Sequence, residues 1–172
     1  MVKGARRRGA GYAVQPMRAL LLSLLIAAPM PVRRIEDAPK LVTEAAGTPA
    51  RPVVLHFWAT WCSACRDEFP AIAPKLVGLP GRGVAVTLVS IDRPDDREKA
   101  EKMLAQYKLA SLPALLLEAP EPDPVAKAMG RPDWDGTLPA TFVFDAKGKL
   151  QKSFLGRAEP AALEAAVRGV MR

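Results

Sequence analysis

The sequence is poor in the residues that build metal centres and in those that stack on nucleic-acid bases. Its 172 residues include one histidine, two cysteines and only 6% aromatic side chains. A structural zinc site wants about four protein ligands, and Cys62, Cys65 and the lone His56 do not supply them. Acids are absent from residues 1–28, where Lys3, Arg6, Arg7, Arg8 and Arg18 all lie. The formal charge of +7 is therefore largely a property of that head, because the remaining bases and acids nearly balance. No basic face with interleaved aromatics follows it, which argues against a nucleic-acid partner. The length suits one domain with a real core and is too short for two of ordinary size.

A membrane-spanning run of about 20 apolar residues is also missing. Residues 19–32 come nearest, but as a helix they would reach only about 21 Å. A cationic start, the apolar run Ala19–Ala28, then Pro29-Met30-Pro31-Val32 and Arg33-Arg34 together have the build of a secretory signal or short membrane anchor. The bases before the run outnumber those just after it, which favours export of the remainder. A cut after Ala28 would place Ile26 where a small residue is wanted, and no cysteine follows for lipid attachment. Met17 is an alternative start that leaves a conventional short cationic segment. An amphipathic or buried core helix is the rival interpretation. The division expected is residues 1–34 as signal peptide or anchor, 35–50 as a linker, and 51–172 as the folded domain.

Within that domain Val53–Trp58 is a short continuous apolar strand of the kind buried on both faces. A helix should begin at Cys62, kinked or segmented where Pro70 and Pro74 remove backbone donors. Val84–Ile91 is a second apolar strand. Asp95 or Asp96 can cap the helix after it, whose stripe is Ala100, Met103, Leu104 and Tyr107. Leu112–Leu117 suggests a short strand and Val125–Met129 a brief helix. Ala140–Asp145 and Leu150–Leu155 read as a hairpin turning at Gly148. Glu159-Pro160 opens a last helix with Leu163, Val167, Val170 and Met171 on one side. Strands alternating with helices imply parallel pairing and right-handed crossovers.

The chemistry concentrates in the two cysteines, spaced Cys62-Ser63-Ala64-Cys65 at a helix start. Unpaired N–H groups and a positive partial charge at that end favour Cys62 as thiolate, the form that attacks disulfides. Cys65, one turn further in, would be the resolving thiol. A passive staple gains little from so short a loop. His56 lies six residues before Cys62, where a neutral imidazole could serve as base; a core histidine bonded to backbone is the alternative. Glu68, three residues after Cys65, reads by itself as a solvated helix residue. Trp58 and Trp61 could both be core aromatics, and Trp134 either flanks the site or covers a loop.

Phe57-Trp58-Ala59-Thr60-Trp61-Cys62-x-x-Cys65, with Glu68-Phe69-Pro70 after it and Pro139-Ala140-Thr141-Phe142-Val143-Phe144-Asp145 further on, resembles the TlpA/ResA-like branch of the thioredoxin superfamily. The likeness runs from about Pro52 to the C-terminus. It implies an α/β fold, three layers α/β/α around a mixed central sheet, with Pro139 as a cis-proline facing the cysteines. It implies disulfide exchange with substrate proteins, Trp61, Ser63, Ala64 and the Leu138 backbone meeting the substrate and Glu68 tuning the thiol pair. It further implies a membrane thiol electron donor and a place in the periplasm or cell envelope, with residues 19–32 as the inner-membrane anchor if retained. No cofactor beyond the Cys62–Cys65 pair and no metal is expected. Keeping apocytochrome c thiols reduced, or serving copper-site assembly, are the family's typical tasks. The Ser63-Ala64 pair lacks the proline often found before the second cysteine, which leaves reductant and oxidant both open. A peroxidase is a rival, although peroxiredoxins place a threonine three residues before the reactive cysteine and Thr60 stands two before Cys62. A thiol-based Cu(I) carrier is another, since soft thiolates suit that ion.

Overall fold

The computed structural model describes residues 29–171. Residues 1–28 of the expected signal or anchor lie outside the described residues. The chain runs β1 (Val32–Arg34), a 3-10 segment (Ile35–Lys40), α1 (Leu41–Ala46), β2 (Val53–Trp58), α2 (Ser63–Gly78) and β3 (Ala85–Ser90). It continues through α3 (Arg97–Gln106), β4 (Ala114–Glu118), α4 (Asp123–Ala128), β5 (Ala140–Phe144), β6 (Leu150–Leu155) and α5 (Pro160–Val170). The six strands form one sheet ordered β1-β4-β3-β2-β5-β6. The first four are mutually parallel, whereas β5 runs antiparallel to β2 and β6 antiparallel to β5. The mixed sheet matches expectation.

Alternation along β2 builds both faces, because successive side chains of a strand point opposite ways. Val54 and Trp58 join α2, α3 and α5 through Phe69, Ile72, Leu76, Leu104, Leu163 and Val167. Val53, Leu55 and Phe57 join the other cluster with Leu41, Val42, Val125 and Trp134. Every residue of β2 and β3 is buried, as parallel strands covered on both sides require. The result is the three-layer arrangement.

Residues 35–50 are not a linker. Ala38, Leu41, Val42 and Ala46 are buried against the sheet, and an apolar stripe of that kind holds the segment to the domain. Residues 29–34 also belong to the fold: Met30 is buried and its amide donates to Glu101 Oε1 at 2.7 Å. Val32–Arg34 pairs with Leu116–Glu118 as an edge strand. The apolar run read as reaching residue 32 therefore gives its last residues to the domain. Among the described residues, no helix is long and apolar enough to cross a membrane.

α2 is one continuous helix in spite of Pro70 and Pro74. Both prolines are exposed, so the carbonyls they release, four residues back on the same outer side, can be solvated by water. Asp96 occupies the start of α3, without the side-chain cap expected of it. In α5, Leu163 and Val167 are buried, while Met171 just past its end is 41% exposed.

Candidate active site

The connection from β2 to α2 is short, and it delivers Cys62 to the start of the helix. Cys62 is the residue before α2, with extended backbone (φ −79°, ψ 107°), and its Sγ accepts the Cys65 amide at 3.1 Å. Its own amide closes a turn on the Ala59 carbonyl at 3.2 Å. Cys62 and Cys65 are joined in a disulfide. Cys62 is 7% exposed and Cys65 fully buried, so the first cysteine is the less enclosed of the pair. Trp61 beside it is 61% exposed, which sets it apart from the core aromatic Trp58. Ser63 is exposed and Ala64 half-buried on the first turn.

The Leu138–Pro139 peptide bond is cis. Ala140 pairs with Phe57 across the sheet, so Pro139 stands at the end of β5 where β2 passes into the cysteine turn. Its carbonyl accepts the Gly156 amide at 2.8 Å, and Leu138 is half-buried against both cores. Trp134 is buried in edge-on contact with Phe57 and Phe142, its Nε1 donating to the Thr137 carbonyl at 2.9 Å. It covers the loop and is part of the core.

Behind the disulfide lie two titratable groups that are both buried. His56 points to the α2 side of the sheet, and its Nδ1 makes a 2.9 Å hydrogen bond with Thr141 Oγ1, its cross-strand neighbour. The partner is thus a side chain, where a backbone group had been the alternative. Glu68, three residues after Cys65 on α2, is 3% exposed and accepts the Ala158 amide on Oε1 at 2.6 Å. That excludes a solvated surface role. Burial pushes the Glu68 carboxyl up to about 7, against the lowering from the Ala158 amide and the Arg157 charge. Burial lowers His56 to about 4, so near neutral pH the imidazole is uncharged.

One buried group was not singled out from sequence. Asp92, two residues beyond β3, accepts hydrogen bonds from Thr60 and Ser90. Its signal was an acid next to the C-terminal end of an apolar strand, the edge at which α/β sheets place their functional groups; it passes easily for helix capping.

A mixed sheet whose central strand opens into a Cys-x-x-Cys helix, beside a cis-proline strand, is the thioredoxin-like type of redox protein. A solved thiol:disulfide interchange protein of the thioredoxin family from Chlorobium tepidum TLS superposes with a TM-score of 0.56 at 19% identity, covering 85% of this chain and 99% of that one. The profile of the AhpC/TSA family matches residues 37–153. Over 160 residues the chain is 30% identical to the thiol:disulfide interchange protein DsbE of Escherichia coli, spanning 86% of this chain and 75% of that protein. It is 31% identical over 104 residues to the thiol-disulfide oxidoreductase ResA of Geobacillus thermodenitrificans, 60% of this chain and 54% of the relative. The match thus spans little more than half the length of that ResA. The chain belongs to the AhpC/TSA family, in the ResA- and DsbE-like group of thiol–disulfide oxidoreductases, as the cysteine and proline motifs implied.

Proposed function

We propose that the protein is an extracytoplasmic thiol–disulfide oxidoreductase working as a reductase of envelope proteins, with Cys62 as nucleophile and Cys65 as resolving thiol. The observation that carries this reading is Cys62 itself, the less buried cysteine of the pair, whose Sγ receives an N–H from the first turn of α2. That position stabilises a thiolate. In the reduced protein the Cys62 thiolate attacks one sulfur of a substrate disulfide, forming a mixed disulfide and releasing the other sulfur as a thiolate that takes up a proton. Cys65 then loses its proton and attacks Cys62 Sγ. The Cys62–Cys65 disulfide forms, the second substrate sulfur leaves and is protonated, and two electrons have passed to the substrate. A membrane thiol donor restores the dithiol, and the pair itself carries the electrons without a bound cofactor.

Glu68 and His56 serve the second step in this scheme. A carboxyl near 7 is poised to take and return a proton at neutral pH, and the neutral imidazole beside it keeps the pocket uncharged while it does so. Trp61, Ser63, Ala64 and the Leu138 backbone form the face that meets the substrate, next to Pro139. Keeping apocytochrome c thiols reduced is the task we assign, on the likeness to the ResA- and DsbE-like group. The cationic and apolar residues 1–28 supply export or anchoring. A peroxidase finds less support, because Thr60 engages its hydroxyl with Asp92 at 2.7 Å.

The test is catalysed reduction of insulin by dithiothreitol together with the Cys62–Cys65 potential in a glutathione buffer. A reductase should show turnover and a potential near thioredoxin's, around −270 mV; one near −120 mV would reverse the direction. Absence of turnover, with Cys62 titrating like a free thiol, removes the assignment.

A further inference from the structure

Asp92 is a buried carboxylate outside the proton path just described. It is 2% exposed. Both of its oxygens receive the Thr60 amide, at 3.1 and 2.9 Å, and Oδ1 also receives the Thr60 hydroxyl at 2.7 Å. The Ser90 hydroxyl donates to Oδ2 at 2.7 Å, and the same Ser90 oxygen accepts the Asp92 amide at 3.1 Å. On its other side, Thr60 offers its carbonyl to Arg66 Nη1 at 2.8 Å. All three polar groups of Thr60 are thus held, two by the residue beyond β3 and one by α2.

Thr60 is the second residue of the Ala59–Cys62 turn, whose closing bond runs from the Cys62 amide to the Ala59 carbonyl. Trp61, between Thr60 and Cys62, is mostly exposed, and a side chain in solvent does little to fix the backbone that bears it. The turn takes its geometry from Thr60, and Thr60 takes its place from Asp92.

We propose that Asp92 is a positioning residue for thiol exchange: through Thr60 it fixes the turn that sets the Cys62 sulfur against the first N–H groups of α2. The proposal rests on Cys62 being the attacking thiolate. Loss of the clamp lets the turn drift, so the sulfur loses its N–H donor and its line of approach. Thiolate fraction and rate both fall as a result. A carboxylate that merely ended β3 would affect stability and leave the thiol unchanged.

The experiment compares Asp92→Ala, Asp92→Asn and Thr60→Val in the full chain, each also in a Cys65→Ser background. Iodoacetamide alkylation against pH gives the Cys62 midpoint, and reaction with oxidised glutathione gives the exchange rate. In Asp92→Ala the midpoint should rise and the rate near neutral pH fall about tenfold or more, as misplacement of a reacting atom predicts. Asp92→Asn keeps one oxygen for the Thr60 amide and hydroxyl and should recover to within about threefold; Thr60→Val should fall between them. A folded Asp92→Ala protein with midpoint and rate within about twofold of the parent would overturn the proposal. Should Asp92→Ala fail to fold, a parent-like Thr60→Val protein overturns it equally. If the parent reacts with neither insulin nor glutathione, the exchange reading fails, while the alkylation midpoints still judge Asp92.

Discussion

His56 Nε2 and Glu68 Oε2 face each other at 3.7 Å, and neither atom has a hydrogen-bond partner among the described residues. The separation is too long for a hydrogen bond, yet both side chains are buried. Glu68 is held on its other oxygen by Ala158, and His56 on its other nitrogen by Thr141. Each residue is thus fixed from outside with its free atom turned to the other. Burial acts on the pair in opposite senses, raising the acid and lowering the base, so the uncharged pair is the favoured state around pH 6.

The pair should leave a pH signature in stability. Glu68 moves from its ordinary value of 4.5 to about 7 in the folded state, so its contribution is present below 4.5 and lost as pH rises through 7. His56 moves from 6.5 to about 4, so its contribution is present above 6.5 and lost as pH falls through 4. The two slopes oppose each other between about 4.5 and 6.5. In urea titrations Glu68→Gln should abolish the loss toward pH 7, and His56→Asn the loss toward pH 4, each on the order of 3 kcal/mol. A profile unchanged by either substitution would show that the groups titrate normally.

The same variants separate proton transfer from packing in exchange kinetics. Resolution of a preformed mixed disulfide by Cys65 should slow in Glu68→Gln by roughly ten- to a hundredfold near neutral pH. Formation of that mixed disulfide by Cys62 should change much less. Stopped-flow measurement of the two steps checks this, and equal slowing of both would point to a structural effect.

Trp61 and Phe69 should behave as opposites. Trp61 is 61% exposed, so Trp61→Ala should shift stability by no more than about 0.5 kcal/mol. Its rate with a protein disulfide should fall several-fold while its rate with oxidised glutathione holds. Phe69 is fully buried, with ring centroids 5.4 Å from Trp58, 5.8 Å from His56 and 5.0 Å from Tyr107. Phe69→Ala should lose about 3–5 kcal/mol by urea unfolding.

Residues 35–50 give a test of where the domain begins. Leu41 is 3% exposed in the core beneath the sheet. Leu41→Ala should destabilise by about 2–5 kcal/mol, whereas a tether residue would register almost nothing. Urea midpoints of the two proteins decide it.

Much of this protein was legible because its strongest signals are local. The apolar runs at Val53–Trp58 and Val84–Ile91 need no partner to be read as buried strands, and Cys-x-x-Cys at a helix start carries its own electrostatics. Pro139 and the residues around it added a family likeness that local physics alone does not supply. Residues 35–50 read as a linker in sequence because Ala38, Leu41, Val42 and Ala46 make a stripe only a few residues long. So short a pattern becomes helix through the sheet it packs on.

The sequence by itself determined which atoms carry the chemistry, since two sulfurs and one helix terminus are set by adjacent residues. Only the tertiary structure decided what surrounds them. His56 meets Glu68, and Asp92 meets Thr60, across 12 and 32 positions of chain. Each pairing follows from neighbouring strands and the helix laid over them. Burial, which sets the charge of both members of the first pair, is a property of the assembled layers and of no single segment.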